Sequence, residues 1–173
     1  MKKYPLARPY ISREEETNVI KVLRSGTLSI GPYIEEFEKK FAKTVGSKYA
    51  CAVSSGTAGL HIALIAAGIG KGDEVITTPF SFIASSNSIL YVDAKPVFVD
   101  IDPLSYNIDP KEIEKRITPR TKAIMPVHIF GQCANMREIM VLAKKHKLIV
   151  IEDACESLKA AHHGKQAGTF GLA

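Results

Sequence analysis

Hydrophobic positions along the chain fall into two alternating periods. Leu148–Ile151 is four apolar residues in a row, three of them β-branched, the pattern of a strand buried on both faces. Lys48–Val53, Glu74–Thr77, Pro96–Val99 and Lys122–Val127 read as four further short strands. Pro126 belongs near the end of the last of these, because proline has no N–H for a ladder. Between the strands the spacing lengthens to that of a helix. Ile34, Phe37, Phe41 and Val45 share one face, as do Leu60, Ala63, Leu64 and Ala67.

Polar punctuation sets the helix ends. Ser12 begins S-R-E-E, a capping-box pattern, for a helix to about Arg24 that Gly26 stops. Pro32 suits the first position of the next helix, which Gly46 ends. Helices are expected over Ala58–Ala67 and Phe82–Tyr91. Asp109 caps a helix with Pro110 and Glu112 in its first turn, and Asn135 caps Met136–His146 with Glu138 at the third position. Lys159–Gly171, with three glycines, reads as loop or hairpin. There is no internal repeat.

Five strands separated by helices predict an α/β fold, a three-layer αβα arrangement with a mainly parallel sheet and right-handed crossovers. Residues 1–46 form an N-terminal helical segment and residues 47–173 the α/β domain. The sequence stops at Leu172-Ala173, where another strand is due. A sheet truncated before its last strands is therefore expected, as in part of a longer protein.

Composition narrows the function classes. At 173 residues, 46% hydrophobic and 24% charged, the chain suits one ordinary globular domain. No apolar run approaches ~20 residues, so no membrane-spanning helix is expected. The Lys2-Lys3 start lacks the apolar core of a secretory signal. Three cysteines, an odd number, read as reduced thiols of a cytoplasmic protein. No Cys/His spacing matches a zinc site, and no metal is expected. The net charge of +5 is interleaved with acids, as in KEIEKR. That is a solvated-face pattern rather than a nucleic-acid stripe, although it suits an anionic small substrate.

Two stretches carry chemistry. Ser54-Ser55-Gly56-Thr57 lies where a strand turns into a helix. The first N–H groups of that helix and its dipole favour a phosphate, although Ser or Thr at a helix start is common and, taken alone, reads first as an ordinary N-cap. Neither a Walker A pattern nor G-x-G-x-x-G is present. Glu152 and Asp153 follow the strand Leu148–Ile151, at the sheet end where parallel sheets bind ligands. A phosphate cradle and a carboxylate at one sheet end suit a molecule anionic at one end and cationic at the other. Pyridoxal 5'-phosphate is such a molecule, and its protonated ring nitrogen calls for an aspartate.

The runs SGTAGLHIAL, GDEVITTPFSFIASSN, PVFVDID, ITPRTKAIMPVHIFGQ and IEDACES, in that order, resemble the DegT-type (StrS-like) sugar aminotransferases. These are pyridoxal-phosphate-dependent enzymes of fold type I acting on nucleotide-linked keto sugars. The resemblance runs from about Pro9 to Gly171. It implies that Gly56, Thr57 and Ala58 hold the cofactor phosphate, that Phe82 stacks on the ring and that Asp153 partners the ring nitrogen. It places Glu156 near the cofactor's phenolic oxygen, with Gly31, Tyr33 and His128 on the substrate side. It also implies an amino donor such as glutamate and a homodimer. The family's Schiff-base lysine and small C-terminal domain fall beyond Ala173, so no catalytic lysine is expected here. Lys159 and Lys165 precede that position, and Lys159 stands where the family usually has glycine. Two other readings stay open: a non-catalytic half-domain derived from this family, and an unrelated α/β ligand-binding domain.

Overall fold

The computed structural model describes Pro5 and residues 8–173; the Lys2-Lys3 start lies outside the described residues. Local signals set the first two helices. In α1 (Arg13–Ser25), Ser12 Oγ accepts the Glu14 N–H at 3.1 Å and Glu15 returns to the Ser12 N–H at 2.6 Å. Gly26 ends α1 at φ 72° and Gly46 ends α2 (Pro32–Val45) at φ 78°, the left-handed conformation that glycine adopts without a Cβ penalty. Among the described residues, these two helices bury only Ala42.

From residue 56 onward strands and helices alternate. The elements are α3 (Gly56–Ala66), β1 (Glu74–Thr77), α4 (Ala84–Tyr91), β2 (Lys95–Phe98), α5 (Pro110–Ile113) and β3 (Thr121–Ile124). Then come α6 (Met136–His146), β4 (Ile149–Val150) and a hairpin of β5 (Ala161–His162) and β6 (Lys165–Gln166). The main sheet has the order β2-β1-β3-β4, with every pair parallel.

Strand pleat sends successive side chains to opposite faces, and the core divides accordingly. Val75, Ala123 and Ile151 pack with Leu60, Leu64 and Ile89, on the side of α3 and α4. Ile76, Ile124 and Val150 pack with Ile113, Met136 and Ile139, on the side of α5 and α6. The result is the expected three-layer αβα sheet with helices on both faces.

Three expectations change. Lys48–Val53 forms no strand. It has no ladder partner among the described residues, and the Ala52 N–H goes instead to Glu38 Oε1 at 2.7 Å. A strand is a paired object, and apolar sequence alone cannot supply the neighbour. The main sheet therefore has four strands, not five. The strand expected over Lys122–Val127 stops at Ile124, and Pro126 contributes only its carbonyl, to the Asp153 N–H at 2.9 Å. The helix expected from Phe82 begins at Ala84. At the other sheet edge, the Leu172 N–H donates to Val150 O and the Glu152 N–H to Ala173 O, both at 2.8 Å. The last residues thus lie alongside β4.

Glu74 anchors the amino end of the sheet, opposite the end where Asp153 lies. It is 2% exposed and accepts from Thr118 Oγ1 at 2.6 Å, Arg120 Nη2 at 2.8 Å and Lys95 Nζ at 3.3 Å. Hydrogen bonds from Thr118 and Arg120 outweigh burial and hold its pKa at about 2, against an ordinary 4.5. A depressed folded-state pKa means stability that is full above the ordinary value and lost as pH falls through the folded one. The urea midpoint is expected to drop between pH 4.5 and about 2, and Glu74→Gln should flatten that drop. An unchanged slope would assign the acid sensitivity to other carboxylates. Arg120 and Lys95 are mostly exposed, so salt should reduce the effect.

Candidate functional site

The path of β4 continues past its last paired residue. Val127 and Asp153 form a parallel bridge, and the His128 N–H donates to Asp153 O at 3.0 Å. The alternation begun by Val150 and Ile151 therefore carries on. Glu152 goes to the α6 side with Val150, and Asp153 to the α4 side with Ile151. Two neighbouring acids acquire different surroundings from the pleat alone.

Asp153 is 5% exposed. Its Oδ2 accepts from Ser85 Oγ of α4 at 2.7 Å, and Oδ1 from the Cys155 N–H at 3.3 Å. Ser85 is itself hydrogen-bonded to Ser81 Oγ at 2.8 Å. Phe82 sits between these two serines and is 73% exposed. Its carbonyl accepts the Ser85 N–H at 3.2 Å. The turn that opens α4 thus presents an aromatic side chain and supports the buried carboxylate together. Sequence reasoning missed Ser81 and Ser85. Their spacing of four across the turn from a strand end into a helix is the available signal, since about one turn of chain brings the two hydroxyls together.

Glu152 does the opposite work. Its side chain is fully buried, and Oε1 accepts from the Phe170 and Gly171 N–H groups at 2.6 and 2.7 Å. Oε2 accepts from the Gly168 N–H and from His128 Nε2, both at 2.9 Å. The Ala134 N–H donates to His128 Nδ1 at 3.0 Å, which places the ring proton on Nε2. Burial pushes the Glu152 pKa up, but the bonds from His128, Gly171 and Gly168 prevail and hold it below its ordinary value. His128, expected on the substrate side, is thus fully enclosed with both ring nitrogens engaged. It braces the fold beneath the site.

The start of α3 lies against the Asp153 turn. Ser55 Oγ accepts the Ala58 N–H at 3.1 Å. Helix geometry leaves the Gly56 and Thr57 N–H groups without an intrahelical acceptor. A Cβ on Gly56 would come within 2.6 Å of Cys155 Sγ, so this close approach requires glycine or a shift of that side chain. The structure therefore brings three predicted pieces together at one sheet end: the Gly56-Thr57-Ala58 turn, Phe82 and Asp153.

Other predicted residues are placed differently. Glu156 Oε2 accepts the Phe130 N–H at 3.0 Å and so holds Phe130 at φ 51°, ψ 32°, a conformation costly for a residue with a Cβ. Phe130 and Tyr106 each approach Phe80, with ring centroids 6.0 and 5.8 Å apart. Gly31 and Tyr33 lie at the start of α2, and no hydrogen bond among the described residues joins them to the Asp153 turn. Lys165 Nζ stands over the Phe170 ring at 5.0 Å. Lys159 adopts φ 66°, which fits the expectation of a position suited to glycine.

Cys155 reports on the charge here. Cys155 is exposed on one side; desolvation on its protein-facing side, then the hydrogen bond and charge of Asp153, push its thiol up to about 12. Only the thiolate is nucleophilic. Cys155 should therefore react slowly with iodoacetamide at pH 8, and severalfold faster after Asp153→Asn. Equal rates in the two proteins, followed by mass spectrometry, would remove Asp153 as the controlling charge.

Unpaired N–H groups and a hydroxyl at one end, with a buried carboxylate at the other, form a donor set that fits a ligand bearing a phosphate and a cationic ring nitrogen. The sequence pattern of the DegT/DnrJ/EryC1/StrS aminotransferase family matches residues 9–173. GDP-perosamine synthase of Caulobacter vibrioides is 47% identical over 167 residues, 96% of this chain and 45% of that protein. The solved aminotransferase of Psychrobacter cryohalolentis superposes with a TM-score of 0.93 at 41% identity, over 96% of this chain and 43% of that one. Bacillus subtilis NtdA, solved with bound cofactor PMP, gives a TM-score of 0.85 at 41% identity, over 91% of this chain and 37% of that one. The chain spans about half the length of the curated relatives it matches.

Proposed function

Because the chain belongs to the DegT/DnrJ/EryC1/StrS aminotransferase family, we propose that it forms the cofactor-holding face of a pyridoxal 5'-phosphate-dependent aminotransferase acting on a nucleotide-linked keto sugar. The observation that carries this reading is the shared sheet end of the α3 N-terminus and the buried Asp153, in contact through Gly56 and Cys155. When bound, the cofactor supplies an electron sink and carries an amino group between substrates.

The chain's own residues bind and orient that group. Gly56, Thr57 and Ala58 hold the phosphate through backbone N–H groups and the Thr57 hydroxyl. Phe82 covers one face of the ring. Asp153, as a buried carboxylate, keeps a proton on the ring nitrogen by a charge-assisted hydrogen bond. Glu156 sits on the same turn and braces the Phe130 loop. An amino donor such as glutamate, the keto sugar and a second copy of the chain are the proposed partners, with Gly31 and Tyr33 on the sugar side. That α1 and α2 bury only Ala42 supports taking residues 1–46 as a segment apart from the 47–173 cofactor domain. Among the described residues no helix is long and apolar enough to cross a membrane, and the working compartment proposed is the cytoplasm.

The phosphate end gives the direct test. Titration followed by cofactor fluorescence should show pyridoxal 5'-phosphate binding more tightly than pyridoxal. Thr57→Ala should weaken the phosphate-bearing ligand by about 3–10-fold, the loss of one hydrogen bond, and leave pyridoxal unchanged. Equal binding of the two ligands by the unaltered chain would overturn the phosphate assignment.

A further inference from the structure

We propose that Ser85 is a positioning residue for Asp153, its hydroxyl fixing the plane of the carboxylate that receives the cofactor's ring nitrogen. This rests on the cofactor reading above. Ser85 is 1% exposed and has one hydroxyl proton with three acceptors in reach, Asp153 Oδ2 at 2.7 Å, Ser81 Oγ at 2.8 Å and Phe82 O at 3.3 Å. The nearest, charged oxygen takes it, because hydrogen bonds to ionised acceptors are the shorter and stronger ones. A Ser85 lone pair then receives the proton of Ser81 Oγ at 2.8 Å. The two hydroxyls line up as successive donors ending on the carboxylate.

The Asp153 backbone is held on both sides, by Pro126 O at 2.9 Å and by the His128 N–H at 3.0 Å. What backbone bonds leave loose is the terminal torsion of the side chain, which for aspartate is broad and weakly preferred. The Cys155 N–H reaches Oδ1 only at 3.3 Å and the Cys155 thiol is a weak donor, so Ser85 is the principal restraint on that torsion. A carboxylate already oriented loses less freedom when it engages a ligand. The same turn carries Phe82, whose carbonyl accepts the Ser85 N–H at 3.2 Å. Placement of the ring cover and of the carboxylate is therefore a single local event.

The test compares two ligands on the full chain: pyridoxal 5'-phosphate and its 1-deaza analogue, in which carbon replaces the ring nitrogen. Ser85→Ala should bind pyridoxal 5'-phosphate about tenfold more weakly and the deaza analogue as the unaltered chain does. Ser85→Thr should restore the affinity, and Ser81→Ala should lose about two- to threefold. Should Ser85→Ala unfold, Ser85→Cys keeps the volume with a weaker donor and should give the same selective loss at smaller size. Equal weakening of both ligands would mean that Ser85 only supports the fold, and no weakening of either would remove it from the site; each result overturns the proposal. Asp153→Asn separates this from the parent reading. If Asp153→Asn discriminates the two ligands and Ser85→Ala does not, the Ser85 role alone fails. If Asp153→Asn discriminates nothing, or the unaltered chain binds neither ligand, the cofactor reading fails and this proposal with it.

Discussion

Glu152→Ala should lower the unfolding free energy by about 3–5 kcal/mol, the cost of breaking a buried charged network by removing one partner. The carboxylate accepts four hydrogen bonds, from the Gly168, Phe170 and Gly171 N–H groups and from His128 Nε2. Its removal leaves three backbone donors and an imidazole N–H without acceptors, each carrying its own desolvation penalty. Residues 168–171 should come loose first, because the Glu152 carboxylate holds the Gly168, Phe170 and Gly171 N–H groups, whereas Leu172 and Ala173 keep their backbone bonds to Val150 and Glu152. Hydrogen exchange at those amides and urea unfolding would measure both effects. A loss below about 1 kcal/mol would mean that the freed groups find water or other partners. Since its folded pKa is depressed, the stabilisation from Glu152 is complete above the ordinary carboxylate range and disappears as pH falls through the folded value.

Asp153→Asn should leave the fold in place and lower the affinity for pyridoxal 5'-phosphate by about one to two decades. A charge-assisted hydrogen bond contributes about 1.5–3 kcal/mol, and each 1.4 kcal/mol is about tenfold in affinity. Asparagine keeps the size and loses the charge. It also retains an oxygen for Ser85, so the local hydroxyl chain survives the change. Asp102→Asn is the matched control. Asp102 lies in an exposed loop, where it accepts the Leu104 and Ser105 N–H groups, and its replacement should not alter cofactor binding. An Asp153→Asn chain that binds like the unaltered one would remove Asp153 as the ring-nitrogen partner.

The contrast between these neighbours shows where inference from sequence stopped. Both acids are visible in the sequence at a strand's carboxyl end, and both tilt that end toward a site. Only one faces it. The difference is one step of the pleat, and it has no trace in composition. The family resemblance puts His128 beside the site through the PVH run at the sheet end, where a structural histidine fits the sequence equally well. Its enclosure depends on Glu152, 24 residues later, and on Ala134 across the loop. The aspartate's support from Ser85 spans 68 residues.

Local interactions determine what the sequence states by itself. The Ser12 capping box, the Ser55, Asp109 and Asn135 caps and the left-handed Gly26 and Gly46 each involve atoms within about four residues. The pattern surrounding them is sufficient to mark them, and the elements from α1 to β4 follow. The helix-start signal at Ser55-Gly56-Thr57 belongs to this class, which is why the turn proposed to hold a phosphate is visible in the sequence. Tertiary structure alone decided the rest. It withheld a partner from Lys48–Val53, whose apolar residues predict a strand that pairing never completes. It brought Gly56 against Cys155, turned Glu152 from the site to brace the fold, and set a serine of α4 behind Asp153. Each of these is a meeting of residues distant in the chain, fixed by which strands pair and which face they turn to the helices, and no local propensity encodes it.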